Sequence, residues 1–132
     1  MTQGFSMDIS MIYIALSGLL MVGLALDVVR GRLKYQVGLG DGGHEALGRR
    51  IRVHGNAVEN LPIALLLLLA VENAVSSDLL VHLLGSLLVL CRLLHAFGLR
   101  MSAGTSLPRF IGTAGTWGMM LVCVGLILAN SV

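Results

Sequence analysis

Nine lysines and arginines sit in this chain, and their placement constrains it more than any other feature. Arg30, Arg32, Lys34, Arg49, Arg50 and Arg52 fall between a first and a second apolar run. Arg92, Arg100 and Arg109 flank the join between a third and a fourth. If the four runs cross a bilayer, all nine bases lie at one membrane surface, while Asp8, Glu72 and Asp78 lie at the other. A three-span arrangement would break this segregation. By the positive-inside rule the basic surface is cytoplasmic, so both termini are expected outside the cytoplasm.

Composition agrees with a chain that lives in lipid. Hydrophobic residues make up 56% and charged residues 12%, against about 25% charged in soluble domains. The mean hydropathy is +0.89. A length of 132 residues accommodates spans of about 20 residues with short connections. The expected fold is an all-α integral membrane protein, a four-transmembrane-helix bundle with residues 1–132 as a single domain, multi-pass in the cell (inner) membrane. The net charge of +2, with no basic tail or aromatic-basic patch, gives no reason to expect nucleic acid. Cys91 and Cys123 lie in apolar runs without a C-x-x-C pair, which disfavours a disulfide-forming oxidoreductase and marks them as packing residues.

Met1 to Met7 contains no Lys or Arg, so it lacks the positive start of a signal peptide. The first run, Ile9 to Val29, is therefore read as a retained span. Asp27 and Arg30 stand three apart at its inner end, able to meet on one face or to serve as interfacial anchors. Arg30 to Gly48 is a loop in which GDGG is turn chemistry rather than a phosphate loop, since no G-K-[ST] follows. His44 there is expected to be exposed. Glu72 to Asp78 is an acidic turn. The third span runs from Asp78 to about Leu99, with Arg92 and His95 on one face, where an arginine must point into the bundle or a polar cavity. His82 is expected at a surface or interface. Residues 100–108 form a short connector. The fourth span, Arg109 to about Asn130, is rich in small residues, and Ala114 and Gly118 form a small-xxx-small pair suited to close packing.

The most informative stretch is Leu47 to Glu72, LGRRIRVHGNAVENLPIALLLLLAVE. Its first half is polar and its second half is almost pure Leu, Ile and Ala. On a helix, Arg49, Arg52, Asn56 and Glu59 fall within a sector of roughly 80°. Polar groups at membrane depth are expensive, so a face carrying four of them needs a reason. Pro62, where the halves meet, removes a backbone donor and is expected to bend the helix.

Folding the spans together gathers Arg30, Arg52, Asn56, Glu59, Arg92, His95 and Arg109 at the inner end. Lipid phosphate is one sink for the surplus positive charge. Asn56 and Glu59 suit something more specific: a zwitterion with two carboxylates and one ammonium, of which glutathione is an example. Its thiol is mostly protonated at neutral pH. An arginine, a hydroxyl and a helix N-terminus, all present around Thr105, Ser106 and Arg109, favour its thiolate. No metal-ligand spacing joins His54 and His95, so no metal is expected. An exporter of cationic drugs would want an acid deep in the first span, whereas Asp27 lies at its end.

The segment Arg52-Val-His54-Gly-Asn56-Ala-Val-Glu59-Asn60-Leu-Pro62, followed by Arg92-Leu-Leu-His95, resembles the MAPEG family, the membrane-associated proteins of eicosanoid and glutathione metabolism, and within it the short bacterial branch. The resemblance covers nearly the whole chain. It implies a homotrimer of four-helix bundles that binds glutathione as co-substrate between neighbouring subunits near the cytoplasmic side. By motif, Arg30, Arg52, Asn56, Glu59, Arg92 and His95 are expected to bind substrate. Arg109 is similar to the arginine that stabilises the thiolate and is the expected catalytic residue. The implied activity is that of a microsomal-type glutathione transferase or peroxidase, acting on a hydrophobic electrophile or lipid hydroperoxide drawn from membrane lipids. Two positions depart from the pattern. Gly55 stands where many eukaryotic members have arginine, and Leu99 where a tyrosine is expected. Each missing charge-assisted bond removes about 1.5–3 kcal/mol, roughly 10- to 100-fold in affinity. These departures motivate a rival reading, a non-catalytic lipid- or anion-binding member.

Overall fold

A helix rises about 1.5 Å per residue and a bilayer core is about 30 Å thick, so about 20 residues suffice to cross. The helices of this chain exceed that. In a computed structural model they are α1 (Asp8–Tyr35), α2 (Glu45–Ala74), α3 (Asp78–Met101) and α4 (Leu107–Ser131). The structure describes residues 7–102 and 104–131, which leaves all of the polar start except Met7 outside the described residues. All four helices are long and apolar enough to span a membrane. The extra length lies largely at the basic end. α1 continues through Arg30, Arg32 and Lys34 before Gln36 ends it in the left-handed region, φ 55°. α2 begins at Glu45, so Arg49, Arg50 and Arg52 ride on helix that projects past the apolar core.

α2 and α3 occupy the middle of the bundle. α1 packs on α2 and α3, α4 packs on α2 and α3, and α1 and α4 do not meet among the described residues. The packed face of α2 is Val53, Ala57, Leu61, Ala64, Leu68 and Val71. That alternation of three and four residues keeps one seam toward a neighbouring helix. Val81, Leu84 and Leu88 of α3 and Met119 and Cys123 of α4 complete the core. The helix runs unbroken through Pro62.

α1 is built the other way round. Its buried residues are Ser10, Tyr13, Ser17 and Gly31, while Leu19, Val22, Leu26 and Val29 face outward. In water this would be inside-out, but against lipid tails the outward leucines and valines need no protein partner. Tyr13 lies over Gly85, where a Cβ would come within 2.4 Å of its ring. Its hydroxyl donates to the carbonyl of His82 (3.0 Å) and lies 2.9 Å from His82 Nδ1. His82 is exposed, as expected, yet it also anchors α1. The Glu72 carboxylate takes the Ile9 and Ser10 amides at 2.8 and 2.9 Å, and the Ser10 hydroxyl as well. An acid from the end of α2 thus caps the free donors at the start of α1.

Two expectations are corrected. Asp27 does not pair with Arg30. It turns inward, 15% exposed, and takes Arg50 of α2 at 3.1 Å and Arg100 of α3 at 2.6 Å. Gly31 opens the way, since a Cβ there would meet Arg50 Cδ at 3.0 Å. Packing of three helices, not spacing on one, chooses the partner. The close approach of α3 and α4 likewise uses Gly112 and Gly115 rather than Ala114 and Gly118. A Cβ on Gly112 would lie 2.5 Å from the Cys91 carbonyl oxygen, and one on Gly115 would lie 2.3 Å from Cys91 Sγ. Ala114 and Gly118 are exposed.

Candidate functional site at the basic end of the bundle

All but Arg30 of the residues expected to converge do so, in two separate places. One is buried. Arg92 is 3% exposed. Its Nε donates to Thr116 Oγ1 at 2.9 Å, Nη1 to Asn56 Oδ1 at 2.6 Å and Nη2 to the Gly112 carbonyl at 3.1 Å. Thr116 in turn donates to the Gly112 carbonyl at 2.8 Å. One guanidinium therefore ties α2, α3 and α4 together through neutral acceptors. His95, one turn on, is also 3% exposed, and a Cβ on Gly112 would come within 2.7 Å of its Cβ. The signal for this node was an arginine at membrane depth. Its acceptors Thr116 and Gly112 had no signal, because a hydroxyl and a carbonyl on another helix carry no spacing.

The other place is an open cleft. A lobe of about 260 Å³ is lined by Asp41, Glu45, Gly48, Arg49, Arg52, Leu99 and Arg109. A second, of about 480 Å³, shares Asp41, Gly48 and Arg52 and adds Gly40, Ile51 and Gly55. A third, of about 240 Å³, lies beyond Arg109 among Thr105, Ser106, Phe110 and Thr113. Arg52 and Arg109 are the walls that link the lobes. Arg52 reaches along its own helix to Glu59, at 2.9 and 3.4 Å to the two carboxylate oxygens. Arg49 pairs with Glu45 at 2.7 Å. Arg109, at the start of α4, donates to the Gly104 carbonyl at 3.3 Å.

The roof of the cleft is the α1–α2 loop. Arg32 donates to the Gly40 carbonyl at 2.9 Å, and the rings of Tyr35 and His44 stack with centroids 4.3 Å apart. Gly40, Gly42 and Gly43 take positive φ values of 67°, 59° and 79°, open to glycine at little steric cost. Asp41 accepts the Gly43 amide at 2.9 Å. It folds over Gly48, where a Cβ would sit 3.0 Å from Asp41 Oδ2. Sequence reasoning read GDGG as a turn and missed that it carries a carboxylate into the site. Glu45 was missed for the same reason, as a residue of the loop.

Arg52 and Arg109 thus meet across one cleft, with Glu59 holding Arg52. Asn56, Arg92 and His95 form the buried layer beside it. Arg30 is exposed on α1, and its guanidinium makes no hydrogen bond or ion pair among the described residues. Ser106 Oγ is buried against Gly98 and has no partner among the described residues. Among the described residues, no cluster of three or more His, Cys, Asp or Glu is placed to hold a metal ion.

Comparison with known proteins adds a family and a relative. The MAPEG family profile matches residues 10–129. The inner membrane protein YecN of Escherichia coli K12 is 39% identical over 122 residues, which span 92% of this chain and 89% of that protein. YecN of Escherichia coli O6:H1 strain CFT073 matches at the same 39% over 122 residues, with the same coverage of 92% and 89%.

Proposed function

The chain belongs to the MAPEG family, and we propose that it is a trimeric, membrane-bound glutathione transferase or peroxidase-like enzyme with its basic end in the cytoplasm and both termini outside. The observation that carries this reading is the cleft in which Arg52 of α2 and Arg109 of α4 stand as common walls, with carboxylates beside them. Such a cleft suits a molecule bearing carboxylates and an ammonium together. Arg52 and Arg49 receive carboxylates, and Glu59 fixes Arg52. Arg92 ties Asn56 of α2 to Gly112 and Thr116 of α4 from beneath, with His95 packed against Gly112. Arg30, exposed and unengaged, is offered to the cleft of a neighbouring copy, in keeping with a site between subunits.

Arg109 is the catalytic residue of this reading. Its guanidinium and the partial positive charge at the start of α4 both favour the thiolate over the thiol. The thiolate attacks a hydrophobic electrophile arriving from the bilayer. A sulfur–carbon bond forms, and the electron pair of the broken bond leaves with the departing group or moves onto the electrophile.

The test is glutathione binding to protein in nanodiscs, read with the ultraviolet absorbance of the bound thiolate. Saturable binding with a thiolate signal at neutral pH supports the reading. Wild-type rates in both Arg109→Ala and Glu59→Gln would remove the catalytic assignment.

A second reading, a non-catalytic member that binds lipid or another anion, is favoured by one observation. Gly55 and Leu99, the two departures from the family pattern, both line the cleft. The donors missing there are missing where a ligand would touch. Absence of binding at millimolar glutathione, with a lipid retained on the gently extracted protein in native mass spectrometry, selects this reading.

A further inference from the structure

Three carboxylates stand at or beside the cleft, and two are engaged. Glu45 holds Arg49 at 2.7 Å, and Glu59 holds Arg52 at 2.9 Å. Asp41 is different. It lines both larger lobes, yet among the described residues none of the arginines around it forms an ion pair with it. Among the described residues its carboxylate takes one hydrogen bond, at Oδ1 from the Gly43 amide, while its backbone carbonyl takes the His44 amide at 3.0 Å. Oδ2, over Gly48, keeps its acceptor capacity. The loop that carries it is fixed from both sides, by Arg32 on the Gly40 carbonyl and by the Tyr35–His44 stack. A carboxylate held still beside arginines, without collapsing onto them, is arranged to receive a cation from outside the protein.

Resting on the glutathione reading above, we infer that Asp41 receives the ammonium of the cleft's ligand and makes the site selective for a dipolar molecule over a simple polyanion. Glu59 is less suited to this task, because its carboxylate already faces the Arg52 guanidinium, whereas that of Asp41 faces no arginine in an ion pair among the described residues. Arg49, Arg52 and Arg109 take the carboxylates, and Asp41 sets the opposite pole. A ligand of the same anionic charge without the ammonium would bring a bare carboxylate pole toward Asp41 and be repelled.

The experiment compares glutathione with its N-acetyl derivative, which keeps both carboxylates and the thiol but has no ammonium. Both are titrated by calorimetry into wild type and Asp41→Asn in nanodiscs. Asparagine keeps an oxygen for the Gly43 amide, so the loop is retained. Wild type is expected to prefer glutathione by about ten-fold or more, the scale of one charge-assisted hydrogen bond. Asp41→Asn is expected to lose that preference while binding the acetylated form at least as well as wild type does. Equal affinities in wild type, or an unchanged preference in Asp41→Asn, overturn the role of Asp41 and leave the glutathione reading standing. No binding of either compound to wild type overturns both. A variant that binds neither while wild type binds both makes Asp41 a folding residue of the loop and also overturns the inference.

Discussion

Arg92 and Arg52 belong to the same end of the same bundle, and they are held in opposite ways. Arg92 is 3% exposed and spends its donors on an amide, a hydroxyl and a carbonyl. The Arg52 side chain is 56% exposed and pairs with a carboxylate on its own helix. A guanidinium has five N–H donors and cannot be deprotonated in a protein. Buried, it must be wrapped by dipoles, and once three helices supply them it fixes their spacing. At the rim, its remaining donors stay open to a ligand. The chemistry of the residue is the same. Depth in the bundle decides whether it ties helices together or lines an open cleft.

Breaking that comparison gives the largest effect first. Arg92→Met removes the tie and strands Asn56 Oδ1, while the Gly112 carbonyl keeps the Thr116 hydroxyl. It should destabilise the fold by about 2–4 kcal/mol, the scale of losing hydrogen bonds to a charged group and leaving a buried acceptor unpaired, seen as a lower denaturation midpoint in detergent. Arg109→Ala should leave that midpoint nearly unchanged, yet weaken glutathione by about 1.5–3 kcal/mol and abolish the thiolate absorbance. A large loss of stability in Arg109→Ala, or none in Arg92→Met, would erase the distinction.

Smaller changes sharpen it. Gly112→Ala should cost about 1–3 kcal/mol of stability by overpacking the α3–α4 contact, whereas Gly118→Ala, with nothing within 4 Å of the added Cβ, should leave the same melting assay unchanged or raise stability by up to about 1 kcal/mol. Glu59→Gln breaks an exposed pair and should change stability by about 0–1 kcal/mol. Its effect belongs to binding, as a raised dissociation constant for glutathione once Arg52 is no longer oriented.

The sequence by itself determined the membrane class, four spans, and the gathering of bases at one end. Long apolar runs and segregated charge are one-dimensional facts, and a bilayer leaves backbone few other solutions. It also marked Arg92 as an inward-facing residue, because charge at membrane depth has few places to go. Only the tertiary structure decided which polar groups meet. Asp27 chose Arg50 and Arg100 over its helical neighbour Arg30 because three helix ends converge on it. Glu72 became the cap of a helix more than sixty residues away. Asp41, written as part of a turn, became a wall of the cleft because Gly48 lets the loop lie down on α2. The physical reason is common to all three. Apolar periodicity is a property of one helix against its surroundings, but a hydrogen bond or ion pair needs two groups at contact distance, and the approach of separate segments is set only when the whole bundle packs.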